Sequence, residues 1–138
     1  MSGAKILIVE DEFVVAANLE AVLEDCGHTS VGIAPDLDTA LRLADQRPDL
    51  ALVDINLRDG ETGPMIADRL REHGVDVLFV TANPRMLEDR SEITAIGVLT
   101  KPCDEDVILA AVEYALSARR GVRLPSPPAG LTLLRNAA

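Results

Sequence analysis

Short apolar runs alternate with amphipathic stretches along most of this chain. Each run of β-branched and leucine residues predicts a strand, and the continuous runs are typical of strands buried on both faces. The predicted strands are Ile6–Val9, a weaker Val31–Ala34, Leu50–Val53, Val77–Val80 and a short Val98–Leu99. Polar or turn-forming residues follow each of them, so the strands are expected to be short and separate.

Between these strands, apolar residues recur at helical spacing. The first helix is expected to bury one face and to end at Gly27. That face consists of Val15, Leu19, Val22 and Cys26. Asp36 is a predicted cap of the second helix, and the third begins near Gly63 or Pro64. The last helix opens on acidic residues and closes near Arg119, which suits the helix dipole.

Two segments do not follow this alternation of strands and helices. In the stretch from Asn83 to Ile96 an acidic run interrupts the apolar stripe, so the fourth helix is expected to be short or mobile. Residues 120–138 contain several prolines and are expected to form a flexible tail, in which three leucines have no assigned role. These are Leu131, Leu133 and Leu134. The domain is therefore predicted to cover residues 1–119.

Five strands alternating with five helices predict a doubly wound α/β fold with a parallel sheet and right-handed crossovers. A flavodoxin-like strand order, 2-1-3-4-5, is common for such sheets. The alternation alone does not establish that order, which stays an expectation.

Length, composition and charge argue against several classes of function. The chain has 138 residues, a length that suits one domain. Its formal net charge of -10 argues against DNA binding, which needs a basic surface. Cys26 and Cys103 do not form a disulfide framework, and His28 and His73 are expected at the surface. The first apolar run has only four residues, too few for a signal peptide or a membrane span, so a cytoplasmic protein is expected.

Polar residues follow four of the five predicted strands. The first ends at Glu10 and Asp11, the third at Asp54, the fourth at Thr81 and the fifth at Lys101. Ligands of open α/β sheets bind beyond the carboxyl ends of the strands, where these side chains would converge. Three carboxylates suit Mg²⁺, and a metal, an ammonium and a hydroxyl together suit a phosphoryl group.

Four motifs in this order and spacing resemble the receiver domain of response regulators, over about residues 4–118. They are Ile6 to Glu12, Asp54 to Gly60, Thr81-Ala82 and Lys101-Pro102. The resemblance implies that Asp54 accepts the phosphoryl group. It also implies that Asp11 binds Mg²⁺ directly, that Glu10 holds it through water, and that Asn56 supplies a backbone carbonyl.

The same resemblance assigns the remaining positions. Thr81 matches the threonine whose hydroxyl takes part in the switch, and Ala82 matches the small neighbour that leaves room for the phosphoryl group. Lys101 matches the lysine of the family's site, and the Lys101-Pro102 peptide bond is expected to be cis. The chain departs from the family at Val98, where an aromatic ring is usual, and at Cys103, where phenylalanine is usual. The aromatic part of the usual switch is therefore missing.

The implied function is that of a stand-alone response regulator, not an enzyme with an external substrate. A histidine kinase or phosphotransfer protein would phosphorylate it. It would act through contact with an unknown protein, or as a phosphate sink or relay. It is expected to be a monomer, or a weak dimer through the fourth helix, fifth strand and last helix.

Two alternatives differ in kind. A receiver-like scaffold would work without phosphorylation, although the complete acidic set argues against it. A small phosphatase of the aspartyl-phosphate type usually needs a second acid two residues after the nucleophile, where this chain has Asn56.

Overall fold

The computed structural model describes residues 3–55, 57, 60, 62–82, 95–122 and 126–134. Strands and helices alternate as predicted up to the fourth strand, residues 83–94 before the fifth strand lie outside the described part, and a further strand follows the last helix. In chain order the elements are β1 (Lys5–Val9), α1 (Phe13–Asp25), β2 (Thr29–Ala34), α2 (Leu37–Ala44), β3 (Leu50–Val53), α3 (Gly63–Glu72), β4 (Asp76–Thr81), β5 (Gly97–Thr100), α4 (Glu105–Arg119) and β6 (Leu131–Leu133).

The strands form one sheet in the order β2-β1-β3-β4-β5-β6. Strands β1 to β5 pair in parallel, which confirms the flavodoxin-like order, while β6 is antiparallel to β5. The expected five-stranded, wholly parallel sheet is therefore wrong by one strand. The parallel pairs bring the carboxyl ends of β1, β3, β4 and β5 to the same edge of the sheet.

Helices cover both faces of the sheet, as a doubly wound fold requires. Successive strand residues point to opposite faces, so Leu7 and Val9 join one core and Ile6 and Ile8 the other. The first core packs against α2 and α3, and the second against α1 and α4. No helix among the described residues is long and apolar enough to cross a bilayer.

Local sequence predicts where one helix begins but not which side of another is buried. The Asp36 carboxylate accepts a hydrogen bond from the backbone N–H of Thr39 at 3.0 Å, which confirms the predicted cap. The expected face of α1 is right only in part: Leu19 packs against the second core, but Ala16 and Leu23 are the buried residues and Val15 is exposed. The first turn of α1 is apolar on several sides, so spacing alone did not select the side that packs.

Strand β6 lies within the predicted flexible tail. Leu131 is buried there, and Leu133 and Leu134 are partly buried against the two cores. The three leucines are therefore not incidental. The boundary at residue 119 stays a prediction, but part of the segment beyond it belongs to the sheet.

Most of the predicted fourth helix lies outside the described residues, among which there are four helices rather than five. His28 was expected at the surface but is buried, with its Nδ1 accepting a 3.0 Å hydrogen bond from the backbone N–H of Ala4. Its Nε2 lies 3.2 Å from the carboxylate of Glu113.

Candidate functional site

Five polar residues meet at the carboxyl edge of the sheet, because each follows or ends a parallel strand. Glu10 and Asp11 follow β1, Asp54 follows β3, Thr81 ends β4, and Lys101 comes directly after β5. The sequence placed all five at strand ends, and the sheet brings those ends side by side.

Backbone hydrogen bonds continue the sheet into the site and hold these residues in register. The N–H of Asp54 donates to the carbonyl of Val9 at 2.9 Å, and the N–H of Lys101 donates to the carbonyl of Thr81 at 2.8 Å. The positions of the two charged residues are therefore set by neighbouring strands rather than by a free loop.

Among the described residues, Lys101 is the cation of the site, and it lies between two carboxylates. Its ammonium is 2.7 Å from Oε1 of Glu10 and 3.3 Å from Oδ2 of Asp54. Of these two contacts, the one with Glu10 is the shorter. One ammonium therefore contacts two of the three carboxylates but offsets only one negative charge, which leaves the described part of the cluster with an excess of negative charge.

Burial and charge shift the acid–base properties of this group. The pKa of Glu10 is raised, because burial and the nearby Asp54 carboxylate outweigh the hydrogen bond from Lys101. Burial lowers the pKa of Lys101, but Glu10 and Asp54 more than offset this, so the net shift is upward. Since the pKa of Lys101 is raised in the folded protein, its charge contributes fully to stability at pH values below the ordinary pKa of lysine. That contribution is lost only as the pH rises through the raised pKa of the folded protein. Lys101 therefore stays charged at neutral pH.

The three carboxylates can share a cation. Glu10, Asp11 and Asp54 each offer an oxygen, and these atoms lie within 4.8 Å of one another. Glu10 is buried, Asp54 partly buried and Asp11 exposed, so the group opens to solvent on one side. An all-oxygen donor set with unbalanced negative charge fits a hard divalent cation such as Mg²⁺.

The predicted switch positions differ in their surroundings. Thr81 is buried at the end of β4, and Ala82 is exposed beside it. Val98 is buried in β5, paired with Phe79 on one side and Thr132 of β6 on the other.

The Lys101–Pro102 peptide bond is cis, as the resemblance implied. Asn56 lies outside the described residues.

Two features of the site were missed from sequence. An open groove of about 790 Å³ leads from Glu10, Asp54 and Lys101 along the space between α1 and α4. Cys103 lies in this groove, and burial raises the pKa of its thiol. A groove between helices depends on their separation, for which the sequence carries no signal.

The second missed feature is Gly63, at the start of α3. A Cβ on this residue would lie 2.5 Å from the carbonyl oxygen of Asp54 and 2.5 Å from Cα of Ile55. The helix can therefore approach the backbone behind Asp54 only because residue 63 has no side chain. The sequence marked Gly63 as a helix start and gave no sign of this contact.

Comparison with known proteins identifies relatives with the same architecture. The response regulator receiver domain family matches residues 6–113. The phyllosphere-induced regulator PhyR of Methylorubrum extorquens is 34% identical over 88% of this chain and 46% of its own length. The solution structure of the receiver domain of Erythrobacter litoralis PhyR has a TM-score of 0.72 and 32% identity, covering 94% of this chain and 98% of that one.

The coverage of the relatives differs. The chain spans about half the length of PhyR, whereas it covers 96% of sporulation initiation phosphotransferase F of Bacillus subtilis, to which it is 30% identical over 84% of its own length. The similarity to PhyR therefore concerns one part of that protein.

Proposed function

The chain belongs to the response regulator receiver domain family, and from that premise we propose that it accepts a phosphoryl group on Asp54. The observation that carries this proposal is the position of the Asp54 carboxylate. It lies at the open carboxyl edge of the sheet, 3.3 Å from the Lys101 ammonium, within a three-carboxylate cluster. A nucleophile, a cation and a hydroxyl are thus available within one partly buried site.

In the proposed reaction, an oxygen of Asp54 attacks the phosphorus of a phosphohistidine. The new P–O bond forms as the P–N bond breaks, and the leaving imidazole takes up a proton. Lys101 screens the charge of the arriving group, since it already spans Glu10 and Asp54. The hydroxyl of Thr81 donates a hydrogen bond to a phosphoryl oxygen, and the small side chain of Ala82 leaves room for the phosphoryl group.

Asp11 and Asp54 are the proposed carboxylate ligands of Mg²⁺, with the backbone carbonyl of Asn56 as a further ligand, and Glu10 would hold the metal through water. When bound, the metal supplies positive charge that the phosphoryl oxygens share. The role of the protein side chains is to hold three carboxylates close despite their repulsion, with Lys101 offsetting part of it.

The proposed phosphoryl donor is a histidine kinase or a phosphotransfer protein in the cytoplasm. The similarity to a relative named a phosphotransferase supports a role in phosphoryl transfer. The proposed output is contact with another protein, or transfer or removal of the phosphoryl group. We infer this because Val98, which is buried, lacks the aromatic ring that swings inward in the usual switch of the family. The protein is proposed to turn over no external substrate.

Asp54→Ala tests the assignment. A labelled phosphoryl group from a kinase, or from acetyl phosphate, should appear on the wild type in the presence of Mg²⁺ and be absent from Asp54→Ala. Asp45→Ala, an exposed residue at the end of α2, is the matched control and should keep the label. Label that persists on Asp54→Ala would overturn the proposal. If wild type and Asp54→Ala bind a partner protein equally well, both with and without the phosphoryl donor, the result would favour a scaffold that works without phosphorylation.

A further inference from the structure

Strand β5 leads directly into Lys101 and is supported from both sides. It has four residues, Gly97–Thr100, and Lys101 follows them. On one side β5 pairs in parallel with β4, and the N–H of Lys101 continues that pairing to the carbonyl of Thr81 at 2.8 Å. On the other side β5 pairs with β6. The position of Lys101 therefore depends on what holds β5 from both directions.

The first residue of β6 is the one that lies nearest to the end of β5. Because β6 runs antiparallel to β5, Leu131 is opposite Leu99, two residues before Lys101. Leu133 is opposite Gly97, at the far end of β5. Directly opposite side chains share one face of a sheet, and both Leu131 and Leu99 are buried in the second core. Leu131 thus lies beside the strand end that leads into Lys101.

The turn before β6 holds Leu131 next to the last helix. The N–H of Leu131 donates to the carbonyl of Pro128 at 3.2 Å, which closes the turn. Gly130 has a φ of +89°, and a Cβ there would lie 2.6 Å from Cγ1 of Val107, in the first turn of α4. The turn therefore approaches α4 closely, and Leu131 is held by its backbone as well as by its side chain.

The loop that joins β5 to α4 lies close to the same turn. A groove of about 410 Å³ is lined by Thr100 and Pro102, which flank Lys101, and also by Leu131 and Thr132. A strand end whose backbone hydrogen bonds are exposed to solvent opens more readily than one that is covered. The start of β6 therefore steadies the segment that contains Lys101.

From these contacts we propose that Leu131 is a positioning residue for Lys101 in phosphoryl transfer. It acts through β5, whose end it holds from the side opposite β4. It thereby keeps the Lys101 ammonium 2.7 Å from Glu10 and 3.3 Å from Asp54. A misplacement of about 1 Å in a site can cost a large factor in rate, so this support affects the chemistry as well as stability. The inference rests on the proposed phosphorylation of Asp54.

Two substitutions on β6 separate positioning from general packing. Leu131→Ala should slow the labelling of Asp54 by acetyl phosphate at saturating Mg²⁺ on the order of tenfold, because the end of β5 loses its outer support. Leu133→Ala, on the same strand and against the same core, is the matched control and should label at nearly the wild-type rate. Leu131→Met restores the apolar volume and should recover most of the lost rate. Wild-type labelling by Leu131→Ala, or equal slowing by both alanine variants, would overturn the proposal.

A double substitution shows whether the effect passes through Lys101. In a chain that already carries Lys101→Met, adding Leu131→Ala should leave the remaining labelling rate nearly unchanged, because the group that Leu131 positions is gone. An undiminished further loss would mean that Leu131 acts through general stability, and would refute its positioning role.

Hydrogen exchange tests the same support without a phosphoryl donor. The amide of Lys101, which donates to Thr81, should exchange faster in Leu131→Ala and at the wild-type rate in Leu133→Ala. Unchanged exchange in Leu131→Ala would count against the proposal even if labelling were slow. If the wild type takes no label, the phosphorylation of Asp54 is refuted, while exchange still decides whether Leu131 supports Lys101.

A smaller truncation covers the case in which Leu131→Ala does not fold. Leu131→Val should then give a lesser increase in exchange at the Lys101 amide and a lesser loss of labelling rate. No change in either measurement would overturn the proposal.

Discussion

At the scale of single residues, Lys101 has the largest electrostatic role in the site. Its ammonium contacts Glu10 and Asp54, and both carboxylates are largely shielded from solvent. Removing this charge would leave two carboxylates facing each other without a cation from the described part of the chain, and the pKa of Glu10, already raised, would rise further. Lys101 is thus the residue on which charge balance depends before any metal or phosphoryl group arrives.

Lys101→Met tests this role, since methionine keeps much of the length without the charge. We expect the rate of phosphorylation by acetyl phosphate to fall by roughly 100-fold, a typical effect of removing one preorganised charge. The measurement is the rate of label incorporation at saturating Mg²⁺. Lys5→Met, at the opposite end of β1, is the control and should react at the wild-type rate.

His28 shows how one buried polar residue escapes prediction from spacing. Its Nδ1 accepts a hydrogen bond from Ala4, so the ring proton of the neutral form lies on Nε2, facing Glu113. The histidine thus joins the start of β1 to α4. Nothing in the local sequence distinguishes it from His73, whose Nδ1 lies 2.9 Å from the backbone carbonyl of Arg69 in the helix that His73 follows.

The two histidines therefore make a matched pair for stability measurements. His28→Ala should lower the free energy of unfolding by about 1–3 kcal/mol, because the buried N–H of Ala4 loses its acceptor. His73→Ala should change it by less than about 0.5 kcal/mol. Urea denaturation measures both, and equal effects of the two substitutions would contradict the assigned role of His28.

At the scale of elements, the start of α3 is packed against the backbone that carries Asp54. Gly63 allows this contact, and its N–H donates to the carbonyl of Ile55 at 3.0 Å. The helix therefore supports the strand end where the proposed nucleophile lies.

Gly63→Ala should disturb both packing and chemistry. The added methyl group must push against backbone atoms, so we expect a loss of about 1–3 kcal/mol in unfolding free energy and slower phosphorylation of Asp54. Gly97→Ala is the comparison, because its Cβ would meet Thr132 on β6, away from Asp54. A similar loss of stability with near-normal phosphorylation in Gly97→Ala would separate the two effects, whereas normal phosphorylation in Gly63→Ala would refute the supporting contact.

The elements also differ in how well spacing predicted them. The last helix buries Ala111, Val112 and Ala115, which recur at helical spacing along it. Helix α1 buries only part of its expected face, because Leu19 packs against the second core while Val15 is exposed. The apolar stripe is weak on both helices, so contacts with the sheet decided which side of each helix is buried.

At the scale of the whole molecule, the parallel sheet turns four separate sequence positions into one site. The three acidic residues come from two strand ends more than 40 positions apart, and Lys101 lies a further 47 positions beyond Asp54. A cation that binds the folded arrangement and not the unfolded chain must stabilise the fold.

Mg²⁺ should therefore raise the free energy of unfolding, by about 1.4 kcal/mol at about ten times its dissociation constant. Thermal unfolding with and without Mg²⁺ measures the effect, which chelation should reverse. Asp11→Asn should lose most of this stabilisation, because it removes the exposed charged ligand. Asp45→Asn should keep it, and an equal loss there would point to a non-specific effect of salt.

The sequence by itself determined the alternating elements, the α/β class and the chemical character of the strand ends. Those follow from local spacing and from the rule that parallel strands present their carboxyl ends at one edge. The tertiary structure decided that Lys101 lies closer to Glu10 than to Asp54, that His28 is buried, and that Leu131 completes the sheet. These depend on distances between segments far apart in the chain, which local spacing does not encode. A strand of three residues has little preference of its own and forms only because β5 offers it an edge.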